Sequence, residues 1–140
     1  MGIHQQHFLH LRTRGQGFYE FTREVEAFCE RSEVQTGLLT LFCRHTSCSL
    51  LIQENADADV RVDMKGFFNR LVPEGMDWIV HTLEGADDMP AHIKTALTQT
   101  SLGIPVANGR MVLGTWQGIY LFEHRRQPHE RQVVLHLSGG

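Results

Sequence analysis

The chain has 140 residues, of which 41% are apolar and 21% charged, as expected of one globular domain with a hydrophobic core. Its net charge of −3 and pI near 6.3 exclude a globally basic nucleic-acid-binding protein. No apolar run approaches the roughly 18 residues that span a bilayer, and the N-terminal segment lacks the apolar h-region of a secretory signal. The three cysteines, Cys29, Cys43 and Cys48, fit reduced, buried thiols and a cytoplasmic setting better than a disulfide scaffold or a metal knuckle.

The elements are expected in the following order. Residues 3 to 12 read as a strand, "GQG" as a turn, and "FYEF" as a second extended segment. Thr22 is expected to cap a helix over 23 to 31, with Val25, Phe28 and Cys29 on its apolar face. "GLLTLFCRH" predicts a buried strand over 37 to 44, and "TSCSLLIQEN" another, alternating at Cys48, Leu50 and Ile52. Asn55 or Asp57 caps a helix over about 58 to 71, striped with Val60, Met64, Phe67, Phe68 and Leu71 and ended by Pro73 and Gly75.

"DWIVHTLEGADDMP" reads mostly as loop. Asp88 is expected to cap a third helix with Pro90 in its first turn and Ile93, Ala96 and Leu97 facing the core. "GIPVAN", "MVLGTW" running into "GIYLFEH", and "QVVLHLS" then read as strands. "NGR" signals a hairpin turn, and "RRQPHER" is the polar tip of a closing hairpin. Strands and helices do not alternate strictly. The expected fold is therefore α+β, a single domain over 1–140 with a largely antiparallel sheet or sandwich and about three helices.

Nine histidines are present, and His45, His81 and His92 carry the chemical interest. On a strand starting at His45, that residue, Ser47 and Ser49 would share a polar face opposite Cys48 and Leu50, with Glu54, Asn55, Asp57 and Asp59 beyond its end. His81 and His92 bracket Glu84, Asp87 and Asp88. Imidazoles and carboxylates are the donors of catalytic metal sites, although the eleven-residue spacing is not that of two ligands on one helix face. The N-terminus of a helix also attracts phosphate, and Lys94, two residues beyond His92, lies near enough in sequence to meet the same anion. Solvated acids and histidines in a loop, and helix caps at Asn55 and Asp57, are the bland alternatives. Trp116, between Thr115 and Gln117, is expected to be largely buried in the core.

Four ordered blocks resemble the YjbQ-like family, also called the secondary thiamine-phosphate synthase family. They are "HTSCSLLIQENAD", "RLVPEG", "HTLEGADDMPAHIK", and a run from Ser101 through Ile104, Val106 and Gly109 to "GTWQGI". The resemblance spans about residues 5 to 138. It implies a small α+β homotrimer whose pocket holds a divalent metal (zinc or magnesium) or a phosphate-like anion. His45, His81 and His92 would be metal ligands, and Glu54, Asn55, Glu84 and Gln117 catalytic residues.

The activity it implies joins a pyrimidine pyrophosphate to a thiazole phosphate and releases pyrophosphate. That chemistry calls for a pyrophosphate clamp, and the cations near the acids are only Arg44, Lys94 and Arg110. The implied partners are a phosphorylated small molecule and further copies of the chain, with neither nucleic acid nor membrane. A module that binds a phosphometabolite or metal without turnover is the alternative.

Overall fold

A computed structural model describes residues 2–140. Strand β1 (Ile3–Thr13) and the short β2 (Gly17–Glu20) precede helix α1 (Thr22–Ser32). Strands β3 (Gly37–Cys43) and β4 (Cys48–Glu54) follow, then helices α2 (Ala58–Leu71) and α3 (Asp88–Leu97). The chain ends in β5 (Ser101–Ala107), β6 (Arg110–Met111), β7 (Gln117–Glu123) and β8 (His129–Gly139). A five-stranded sheet has the order β1-β8-β3-β5-β6, and a three-stranded sheet the order β2-β7-β4. All the strand pairings are antiparallel. The fold is the expected α+β arrangement.

Period-two alternation builds the core. Leu39, Leu41 and Cys43 of β3, Leu102, Ile104 and Val106 of β5, and Val133, Leu135 and Leu137 of β8 turn inward from the large sheet. Cys48 and Leu50 of β4 with Ile119 and Leu121 of β7 meet them from the small one, and Val25, Phe28 and Cys29 of α1 join the same cluster. Asn108 and Gly109 both have positive φ, the conformation a tight I′-like turn needs between β5 and β6.

Several local expectations are corrected. Thr22 is the first residue of α1 rather than its cap. Its hydroxyl donates to Glu20 Oε2 (2.8 Å) and accepts from the Ile119 amide (2.8 Å), tying the helix to β7. Asp88 likewise lies inside α3, with Asp87 preceding it. The core face of α3 is Pro90, Ala91, Lys94 and Thr95, whereas Ala96 and Leu97 are exposed. Asp57 does cap α2, accepting from the Asp59 amide at 2.9 Å.

The strand expected through "MVLGTW" is only two residues long, and 112 to 116 form a loop. Trp116 is 63% exposed, not buried. Its backbone carbonyl, rather than its ring, is engaged, accepting from the Asn55 amide at 3.0 Å. The last two strands form no hairpin: β7 pairs within the small sheet and β8 within the large one. The segment 124 to 128 therefore carries the chain between sheets, which brings its arginines over the N-terminus of α3.

Candidate functional site

The loop before α3 and the first turns of that helix gather a compact cluster. Asp88 and His92 are four residues apart, the spacing that places two side chains on one helix face. Asp88 Oδ2 lies 2.7 Å from His81 Nε2 and 3.1 Å from His92 Nε2. The three side chains can each point one donor atom at a common centre, these atoms lying within 4.8 Å of one another.

Supporting contacts orient two of the three donors, His92 and Asp88. His92 Nδ1 lies 2.8 Å from the Thr46 carbonyl, which can only accept. The Nδ1 proton is therefore committed there. A neutral His92 then turns an Nε2 lone pair toward the Asp88 carboxylate, an arrangement satisfied by a proton or a metal cation between them. A histidine whose second nitrogen is held by a carbonyl is the usual supported form of a metal ligand.

Arg125 holds the acids in place. Its Nη1 donates to Asp88 Oδ1 (2.7 Å), its Nε to Asp87 Oδ2 (3.0 Å) and its Nη2 to the Glu84 carbonyl (2.9 Å). The Arg126 amide adds a bond to Asp87 Oδ2 at 2.8 Å. Burial alone would raise both aspartates. The net displacement is downward, through His81, His92 and Arg125 for Asp88, and through the Arg126 amide and Arg125 for Asp87. Both therefore remain carboxylates at neutral pH, the form that binds cations.

Beneath the cluster lies a second polar layer. Glu123 and Arg131 form a buried ion pair, with Arg131 Nε donating to Glu123 Oε1 at 2.7 Å. The Thr13 hydroxyl donates to the same oxygen at 2.7 Å, and Arg131 Nη2 also reaches Ser47 Oγ at 3.0 Å. Ser49 Oγ contacts His124 Nε2 at 2.9 Å. His124 Nδ1 is buried without a hydrogen-bond partner among the described residues, and burial with the nearby Lys94 and Arg131 charges pushes the imidazole pKa down to about 3. Lys94 is also buried and donates to Asn69 Oδ1 at 2.6 Å. Burial pulls its pKa down, partly opposed by Glu74 and Asp87.

The residues singled out from sequence fall into separate places. His81 and His92 meet. His45 does not join them, because 44 to 47 are loop rather than strand and His45 Nε2 accepts from the Gln132 amide at 2.8 Å. Ser47 and Ser49 face buried partners instead of a cavity. Glu84 offers its main-chain carbonyl to Arg125. Glu54 turns back on the start of α2, accepting from the Ala56 and Asp57 amides.

Asn55 and Gln117 line a separate cleft of about 480 Å³, with Thr22, Glu26, Cys29 and Arg110 among its other walls. Gln117 Oε1 accepts from the Gly114 amide at 2.7 Å. Asp88, which sequence reasoning placed among the acids between the two histidines but read as a helix cap, and Arg125, which it missed, complete the site. The Asp88–His92 spacing was a readable signal for the first; nothing local announced the second, which arrives across the sheet crossover.

Fold and cluster define a small antiparallel α+β protein with a supported His–Asp–His group at the head of one helix. A sequence profile of the UPF0047 protein YjbQ-like family matches residues 7–140, and the chain belongs to this family. It is 53% identical over 134 residues to the UPF0047 protein sll1880 of Synechocystis sp., covering 96% of this chain and 91% of that one. It is 44% identical over 135 residues to the UPF0047 protein YjbQ of Escherichia coli, covering 96% and 97%.

Among solved structures, the hypothetical protein APE1520 from Aeropyrum pernix superposes with a TM-score of 0.88 at 28% identity, over 97% of this chain and 99% of that one. The conserved hypothetical protein TT1486 from Thermus thermophilus gives 0.81 at 38% identity, over 91% and 96%. No helix among the described residues is long and apolar enough to cross a membrane.

Proposed function

We propose that His81, Asp88 and His92 bind a divalent metal ion, and that the protein uses it on a phosphorylated small molecule. The observation that carries this reading is the committed Nδ1 proton of His92, which leaves an imidazole lone pair and a carboxylate oxygen 3.1 Å apart with a second imidazole beside them. Two imidazoles and one carboxylate are a zinc donor set with a fourth position for water or substrate, whereas magnesium prefers all-oxygen surroundings. When bound, the ion supplies Lewis-acid polarisation of a substrate oxygen. The chain's own part is to orient the donors through Thr46 and Arg125.

The resemblance to secondary thiamine-phosphate synthases makes the proposed reaction the joining of a pyrimidine pyrophosphate to a thiazole phosphate, with release of pyrophosphate, by a homotrimer. Incubating metal-loaded protein with both precursors and measuring thiamine phosphate tests the reaction. Metal analysis of wild type and His92→Ala tests the site. Product formation that His92→Ala abolishes supports the reading; equal metal content in the two proteins overturns the ligand assignment.

Binding without turnover is favoured by one specific feature. Arg125 is spent on Asp87 and Asp88, Arg126 on Glu74 and Lys94 on Asn69, so none of these three cations is left over to clamp a pyrophosphate. Saturable precursor binding without product would establish this second reading.

A further inference from the structure

We propose that Cys43 and Cys48 are an oxidative modification site, at which a hydroperoxide closes a disulfide across the loop that orients His92. Their sulfurs lie 3.5 Å apart, at the end of β3 and the start of β4. Both side chains are buried in the core cluster between the two sheets. A disulfide bond of about 2.05 Å requires the two sulfurs to close by roughly 1.5 Å. Cys29 serves as an internal control. It is as buried as the other two, at 2% exposure against 2% and 0%, but makes no sulfur contact of this kind among the described residues.

The chemistry balances with the peroxide as oxidant. One thiolate attacks the peroxide oxygen; an S–O bond forms, the O–O bond breaks, and the released alkoxide or hydroxide takes up a proton. The second thiol then attacks the sulfenic sulfur. An S–S bond forms, the S–O bond breaks, and the departing hydroxide leaves as water with the thiol proton. Two thiols lose two electrons in total, and the peroxide is reduced to water and an alcohol, or to two waters.

The closed ring would bracket residues 44 to 47, and each contact of that loop matters to the site. His45 accepts from the Gln132 amide, the Thr46 carbonyl accepts from His92 Nδ1, and Ser47 accepts from Arg131. Drawing in both ends of the loop shifts the Thr46 carbonyl and with it the His92 ring. The consequence for metal binding rests on the function proposed above; the disulfide itself does not.

The test uses the full-length reduced protein treated with stoichiometric hydrogen peroxide, alkylated, digested without reductant and weighed. The expected result is a Cys43–Cys48 linkage two hydrogens lighter than the dithiol, with Cys29 alkylated. Cys48→Ser is expected to yield instead a sulfenic acid at Cys43 that a dimedone probe traps, and Cys43→Ser the converse at Cys48. Oxidation of Cys29 before the pair, or sulfinic acid at Cys43 with Cys48 still free, overturns the proposal. A cobalt titration of the oxidised and reduced forms reads the second consequence separately, with a several-fold change in affinity expected. An unchanged affinity with the disulfide present removes the coupling to His92 and leaves the modification site standing.

Discussion

Glu123 and Arg131 form an ion pair inside the protein, with Arg131 Nε 2.7 Å from Glu123 Oε1 and both residues almost wholly withdrawn from solvent. The carboxylate also receives the Thr13 hydroxyl and the amides of His124 and Arg125. The pair thus links β1, β7 and β8 and fixes the start of the segment that delivers Arg125 to the site. Desolvating two charges is costly, so the pair is no proof of extra stability. Removing one partner, however, strands the other. Glu123→Gln is expected to lower unfolding free energy by about 3 kcal/mol in a urea titration. The double variant Glu123→Leu, Arg131→Met should recover part of that loss, because no buried charge then remains unpaired.

His124 makes stability depend on acid. Its folded-state pKa is pushed down to about 3, against roughly 6.5 in an unfolded chain. Above about pH 6.5 neither state takes the proton, and stability is fully present. As pH falls below that, the unfolded chain binds a proton the folded one refuses, and stability is lost at up to about 1.4 kcal/mol per pH unit toward pH 3. His45, whose pKa burial also lowers, adds loss of the same sign. Urea midpoints measured between pH 7 and pH 4 should fall steeply for wild type and less steeply for His124→Gln. An equal slope in both would mean that His124 is protonated in the native state.

Arg125 supports the metal site without being a ligand. Its guanidinium spans Asp87, Asp88 and the Glu84 carbonyl, and it fixes which Asp88 oxygen faces His81 and His92. Loss of such a supporting contact commonly weakens a metal site by 10- to 100-fold. Arg125→Ala is expected to weaken zinc or cobalt binding by about 10-fold, with Arg125→Lys between it and wild type because an ammonium cannot span both carboxylates. Competition against a chromogenic chelator measures this.

What was legible in the sequence follows from what is local. The core strands were readable because Leu39, Leu41 and Cys43, or Leu102, Ile104 and Val106, alternate within one element. His81 and His92 were readable as residue types. So was their candidacy as a pair, but the support that Arg125 gives Asp88 was not, because it depends on β7 and β8 lying in different sheets. A polar segment between two strands looks like a hairpin tip in one dimension, but here it is a crossover that carries Arg125 to Asp88. His45 was misplaced for a related reason: the strand begins three residues later than its alternation suggested, so its ring turns to Gln132.

Trp116 shows the limit of composition. Aromatic character predicted burial, but its side chain is 63% exposed in the loop before β7, while its carbonyl takes the Asn55 amide. A backbone contact of this kind does not depend on the side chain. Trp116→Ala is accordingly expected to change unfolding free energy by no more than about 0.5 kcal/mol in the isolated chain. A loss of several kcal/mol would show instead that the ring is packed.

Gly118, two residues on, has the opposite character. It is buried in β7 opposite Gln53 of β4. A Cβ built there would lie 2.6 Å from Glu20 Oε2 and 3.0 Å from Asn55 Cβ. The glycine therefore permits the close approach that lets Glu20 receive the Thr22 hydroxyl and keeps Asn55 against the cleft. The carboxylate end can swing away, but only by giving up that hydroxyl bond, and Asn55 must shift as well. Gly118→Ala should therefore cost about 1–2 kcal/mol through overpacking. Pairing it with Glu20→Ala should return some of this, because the nearest obstructing atom is gone. A double variant no more stable than the single would place the strain on Asn55 instead, and the cleft wall would be the part of the structure that the glycine protects.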